Sequence, residues 1–277
     1  MQNKNKELIY DSARRGNPAL EEIKDVLRYK HLLFQFVRRD ILTRYKRSVL
    51  GVAWTMLNPL GIMIILTIVF SQVFSHGIPS YPAFVLSGLM VWNFFSQTTN
   101  AATLHLVWGG DLMKRIYLPK TIFALSAVGT GLVNLVLSLV PLLLVMLVTK
   151  VPIRWTIIFL PVPIFFLILF TLGVGLFISA IAIYFSDVAE MYRIVITAWM
   201  YVSPVIYPPE ILPDAYREWI IWLNPMYHLI TFFRMPLYNG VIPPLSTILL
   251  NGAISLGTFL IGWFLFTMRS DEFAYRV

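Results

Sequence analysis

The chain has 277 residues, of which 58% are hydrophobic and only 13% charged, with a mean hydropathy of +0.73. A soluble domain carries about 25% charged residues. A water-soluble globular class is therefore excluded, and the length leaves room for about six apolar spans of roughly 20 residues each. No cysteine occurs, which removes disulfides, thiolate chemistry and Cys-based metal sites together.

Residues 1–49 hold twelve basic side chains against six acidic ones and so carry +6 of the net +8. Positive charge piled up before a first span is an orientation signal, and it outweighs a nucleic-acid reading. This segment is polar and has no small-residue cleavage site, so it is expected to be a cytoplasmic N-terminal piece rather than a signal peptide. Within it, Ile23, Leu27, Phe34, Val37, Ile41 and Tyr45 recur at helical spacings among charges. That pattern predicts an amphipathic helix lying on the membrane surface. Arg38, Arg39, Arg44, Lys46 and Arg47 then run directly into a stretch, Ser48 to Gly110, without any Lys, Arg, Asp or Glu. Cationic anchors followed by hydrocarbon-soluble chain mark a membrane boundary.

Apolar runs cover residues 50–74, 82–107, 121–148, 155–184, 191–206 and 246–268. The fold expected is an all-α integral membrane protein with six transmembrane helices, a permease domain over 50–268 and a short tail over 269–277. With the N-terminus inside, eighteen basic residues face the cytoplasm, and only Lys150, Arg154, Arg217 and Arg234 lie outside. That asymmetry places both termini in the cytoplasm. Residues 203–244 break the pattern. Pro204, Pro208, Pro209, Pro213, Pro225 and Pro236 interrupt them, and the apolar piece from Trp219 to Phe233 is too short and kinked for a span. Short re-entrant helices dipping in from the external face fit best, with a plain external loop as the alternative.

Catalytic patterns are missing. There is no Gly-Lys dipeptide and hence no P-loop, and no serine sits in a G-x-S-x-G elbow. His31, His76, His105 and His228 are scattered without metal-ligand spacing. No Asp or Glu occurs between Ile41 and Gly110 or between Leu112 and Ser186, so the buried acids of ion-coupled transporters are missing as well. A permease of this kind is driven by a separate ATPase or is a passive channel. The second run does carry Asn93, Gln97, Asn100 and Thr103 on one helical face. Such a face turns to other helices or to water, and either interhelical hydrogen bonding or a pore lining accounts for it.

The stretch RDILTRYKRSVLGVAWTMLNPL over residues 39–60 resembles the entry motif of the membrane subunits of type-2 ABC exporters for bacterial surface polysaccharides. MKRIYLPK, SPVIYP and NPMYHLITFFR follow in the family's order, and the resemblance covers nearly the whole chain. It implies an inner-membrane permease working as a homodimer with two copies of an ABC nucleotide-binding subunit, which holds the ATP and Mg²⁺. The chain itself then has no cofactor, no metal and no catalytic residue. The cargo implied is a lipid-linked polysaccharide such as O-antigen on a polyprenyl pyrophosphate; teichoic acid, drugs or small lipids are the alternative cargoes. Arg39–Arg47 resembles the interfacial gate helix. Asp111–Lys120 resembles the ATPase-coupling helix, with Asp111, Met113, Lys114, Arg115 and Pro119 at the contact. Glu210–Phe233 resembles the external gate. Phosphate pairing by Arg38, Arg39, Arg44, Lys46 and Arg47 would add to their anchoring role. A sugar path needs flat apolar rings with hydrogen-bonding rims. Trp54, Asn58, Tyr192, Trp199 and Tyr201 on the first and fifth spans, with Asn93 and Gln97, are the expected lining; Trp199 and Tyr201 point to different faces, so they cannot both be central.

Overall fold

A computed structural model describes residues 18–44, 46–73, 78–109, 118–185 and 187–273. Among them every regular element is helical. The expected N-terminal amphipathic helix is two helices, α1 (Pro18–Arg28) and α2 (Lys30–Arg44). Phe36 is the residue of α2 that is buried, stacked on Phe123 at 6.0 Å, whereas Leu27 and Phe34 of the predicted apolar stripe are exposed. Then come α3 (Ala53–Phe70), α4 (Tyr81–Val107), α5 (Thr121–Val148), α6 (Pro161–Ala182), α7 (Asp187–Val202), α8 (Asp214–Leu223), α9 (Pro225–Arg234) and α10 (Leu245–Arg269).

Four segments among the described residues are long and apolar enough to cross a membrane: Ala53–Phe70, Thr121–Val148, Trp155–Ala182 and Leu245–Arg269. The second expected span, α4, has the length, at 27 residues or about 40 Å, but its polar face lowers its hydropathy. The reason is its place in the bundle. Most of α4 is buried between α5 and α6, and a helix sheathed by protein has no lipid to match. The fifth, α7, is only 16 residues long.

Small residues set the closest approaches. A Cβ on Gly262 of α10 would overlap the carbonyl of Gly173 on α6, and a Cβ on Gly173 would lie 2.6 Å from the Phe259 backbone. The two helices therefore cross backbone to backbone. At the end of the bundle where α1 and α2 lie, the first turn of α5 receives no cap from its own flanking residue Lys120. Glu22 of α1 supplies it, accepting from Thr121 N at 3.0 Å and Thr121 Oγ1 at 2.8 Å. A carboxylate at a helix N-terminus satisfies orphan amides and meets the positive end of the dipole.

Candidate functional site

Asn93, Gln97 and Asn100 share one face of α4 by their spacing, and that face is the one its neighbours leave open: Asn93 and Asn100 are half-buried and Gln97 exposed. Across from it stand Trp54 and Asn58 of α3, Asn134 and Ser138 of α5, and Arg44 at the end of α2, around a cavity of about 420 Å³. Two more clefts, of about 390 and 600 Å³, continue around α4, and Arg44 and Gln97 border all three. The result is one polar groove with a single arginine at its junction. Gly131 makes the groove deep, because a Cβ there would overlap the Thr98 hydroxyl and force α5 away from α4. The carboxamides of Asn93, Gln97 and Asn134 both donate and accept, the guanidinium of Arg44 suits a phosphate, and the half-exposed Trp54 offers a flat apolar surface.

Four of the residues expected to line a sugar path therefore meet in space: Trp54, Asn58, Asn93 and Gln97. The rings of α7 divide differently. Tyr192 is buried, its hydroxyl donating to Thr99 Oγ1 at 2.8 Å, and Trp199 packs edge-on against Trp92 and Phe95. Both rings are taken up by packing within the chain, whereas Tyr201 stands exposed on the same helix. Of the basic cluster, Arg38, Arg39, Lys46 and Arg47 are exposed and Arg44 alone borders the groove. Arg39 bonds Asp40 and lies 4.9 Å over the Phe36 ring. Arg47 has a left-handed backbone, φ 67°, in the turn that redirects the chain from α2 into α3. Asp111, Met113, Lys114 and Arg115 lie outside the described residues; Pro119 is buried just ahead of α5.

At the opposite end of α4 the chain has a polar knot that its pattern does not announce. Arg234 is 6% exposed. It donates from Nε to Ser87 Oγ (3.2 Å), from Nη1 to Pro204 O (3.1 Å) and from Nη2 to Phe84 O (2.9 Å) and Val205 O (2.7 Å). Its guanidinium also lies 3.6 Å over Phe84. Nearby, Asn224 caps α9 through Met226 N, accepts from Trp199 Nε1 at 3.0 Å and donates to Ser203 Oγ at 2.8 Å. Together they tie α9 to α4 and to the end of α7. Asn134 was missed in the sequence, although as the lone carboxamide in an otherwise apolar run it carried a signal. Arg234 carried none, since in sequence it follows two phenylalanines like any surface cation.

Residues 31–238 match the ABC-2 type transporter family. Over 258 residues the chain is 31% identical to the O-antigen export system permease protein RfbA of Myxococcus xanthus, covering 92% of this chain and 98% of that protein. It is 26% identical to the protein of the same name from Klebsiella pneumoniae, over 76% of this chain and 82% of that one. It is also 24% identical to the polysialic acid transport protein KpsM of Escherichia coli, over 84% of this chain and 91% of that one.

Proposed function

The chain belongs to the ABC-2 type transporter family of membrane proteins, and from that premise we propose that it is the membrane subunit of an exporter of lipid-linked surface polysaccharide. It carries no P-loop of its own, so the energy comes from a separate ABC nucleotide-binding subunit that holds ATP and Mg²⁺. Two copies of that subunit serve two copies of this chain in the bacterial inner membrane. The single observation that carries the cargo assignment is the groove around α4. It offers carboxamides, tryptophan rings at Trp54 and Trp92, and the guanidinium groups of Arg44 and Arg193 between otherwise apolar helices, which suits a hydroxylated chain on a phosphorylated lipid and not an apolar drug.

In this reading six spans cross the membrane and both termini are cytoplasmic, as the distribution of basic residues favours. Helix α2 and the turn to Arg47 form the gate at the cytoplasmic leaflet. The segment from Asp111 to Lys120 docks on the ATPase, and Glu210–Phe233 within the re-entrant stretch 203–244 forms the external gate. Among the rings expected to line the path, Trp54 and Tyr201 are the exposed ones and meet the sugar. Deleting the gene is expected to leave lipid-linked glycan accumulating on the cytoplasmic side. Accumulation of no glycan, or ATP hydrolysis by the purified chain alone, would overturn the proposal.

The basic cluster supplies a sharper test. Arg44→Ala removes the one cation at the groove junction while leaving the remaining N-terminal charges to hold topology. A lost charge-assisted contact is worth about 1.5–3 kcal/mol, or roughly ten- to hundredfold in affinity. Export is expected to fall at least severalfold, and less so for Arg47→Ala, with insertion and partner assembly unchanged. Wild-type export rates in Arg44→Ala would reduce the cluster to anchoring.

A further inference from the structure

On the side of the groove next to α7, the cleft of about 600 Å³ carries a second arginine. Arg193 lies in the second turn of α7 and is the one cation of that helix, while Arg44 ends α2. Both are exposed, and both border this cleft beside the carboxamides of Asn93, Gln97 and Asn100. Among the described residues no Asp or Glu lines it. Asp40, one turn before Arg44, borders the neighbouring lobe instead and accepts from Arg39. Arg193 meets Glu190 through Nη1, at 3.3 Å from one carboxylate oxygen and 3.4 Å from the other. An exposed pair three residues apart on a helix contributes little, and among the described residues no other group engages Nε or Nη2. Arg44 has no ion pair among the described residues.

Anchoring at the cytoplasmic boundary accounts for a lone cation in the first turns of a span. An anchor needs only water or lipid headgroups, however, and Arg193 shares a walled cleft with Arg44. Two guanidiniums and several carboxamides, with no acid on the lining, make the cleft an anion site. One guanidinium fork suits one phosphoryl group; two forks on separate helices suit an anion that has two. We propose that Arg193 is a second phosphate-binding arm of the groove, and that Arg44 and Arg193 together make it prefer a lipid diphosphate to a lipid monophosphate. Glu190 holds Arg193 while the cleft is empty and yields to the phosphate, whose oxygens take the planar fork bidentately. Asn93 and Gln97 donate to the remaining oxygens. This role for Arg193 rests on the polysaccharide-export reading and adds to it a binding residue outside the N-terminal cluster and the headgroup that it selects.

The test uses the full chain assembled with its ATPase in nanodiscs of phosphatidylcholine, so that no anionic lipid competes. Binding is measured for polyprenyl diphosphate and polyprenyl monophosphate. The wild type is expected to bind the diphosphate about tenfold more tightly, as one added charge-assisted contact allows. Arg193→Gln is expected to bring that ratio to about one while leaving monophosphate affinity within about twofold. Glu190→Gln removes the competing carboxylate and should raise diphosphate affinity severalfold. Arg28→Gln, a cation of α1 outside the groove, should leave the ratio unchanged. Full discrimination retained in Arg193→Gln would overturn the role of Arg193 and leave it an anchor. Should Arg193→Gln insert or assemble poorly, Glu190→Gln decides alone, and unchanged diphosphate affinity there would overturn the proposal. Equal wild-type affinity for the two lipids would overturn the paired arginines while the export reading stood. Failure of the wild type to bind either lipid would overturn both.

Discussion

Arg234→Ala is expected to destabilise the protein by about 3 kcal/mol or more and to lower the apparent unfolding midpoint by on the order of 10 °C. The guanidinium fills four hydrogen bonds, three of them to main-chain carbonyls at Phe84, Pro204 and Val205. Two of those carbonyls, Pro204 and Val205, belong to the turn just beyond α7, while the carbonyls at the end of the helix itself, Tyr201 and Val202, accept from the Tyr207 hydroxyl. Arg234 thus pins the turn that follows α7 to the first part of α4. Among the described residues no carboxylate pairs with it, so its charge is balanced by these dipoles and by the Phe84 ring face. Arg234→Met keeps length and apolar volume but leaves the carbonyls dry and unbonded, and should lose nearly as much as alanine. Arg234→Lys keeps the charge but offers a point rather than a planar fork, and should fall between. Thermal unfolding of the purified chain reads all three; a midpoint within about a degree of wild type for Arg234→Met would show that the hydrogen bonds contribute little. Export should fail in the alanine variant even where it inserts, because α9 loses its tie to α4.

Gly262→Ala is expected to be the second severe change. The added methyl would overlap the Gly173 carbonyl and sit 2.8 Å from the Gly173 carbonyl carbon, and backbone cannot swing aside as a side chain can. Alanine gains about 1 kcal/mol of helix propensity over glycine, but overpacking of this kind costs about 1–3 kcal/mol and separates the α6–α10 pair. A net loss of up to about 2 kcal/mol follows, with a shift in crosslinking between cysteines placed on the two helices. Gly257 lies on the same helix with nothing within 4 Å of its virtual Cβ. Gly257→Ala should therefore be neutral or stabilising by up to about 1 kcal/mol. Equal behaviour of the two substitutions would show that α6 and α10 do not cross as closely as described.

Much of the groove was readable from local pattern. The spacing of Asn93, Gln97 and Asn100 set them on one side of α4, and Trp54 with Asn58 entered as candidates because a sugar path was expected along the first span. Periodicity did not say which side of α7 faces its own bundle. Tyr192 and Trp199 looked as available as Tyr201, and only the positions of Thr99 and Asn224 decide that two rings turn inward. The N-terminal stripe suffered from the same limit: α2 buries Phe36, outside the predicted stripe, because Phe123 of α5 waits there as a partner.

By itself, then, the sequence determined the class of the protein, because class depends on sums over consecutive residues, apolar length against bilayer thickness above all. It also determined, through the order of its motifs, the family to which the chain belongs. Tertiary structure alone decided what each polar residue in the bundle does. The cost of a buried cation or hydroxyl depends on the partners brought to it from elsewhere in the chain. Arg234 gains carbonyls from α4 and the end of α7, Glu22 reaches the first turn of α5, and Asp40 meets His105 beside Thr98 and Thr130. Hydrogen bonds reach about 3 Å, and no pattern of neighbours along one helix encodes which distant group will stand within that distance.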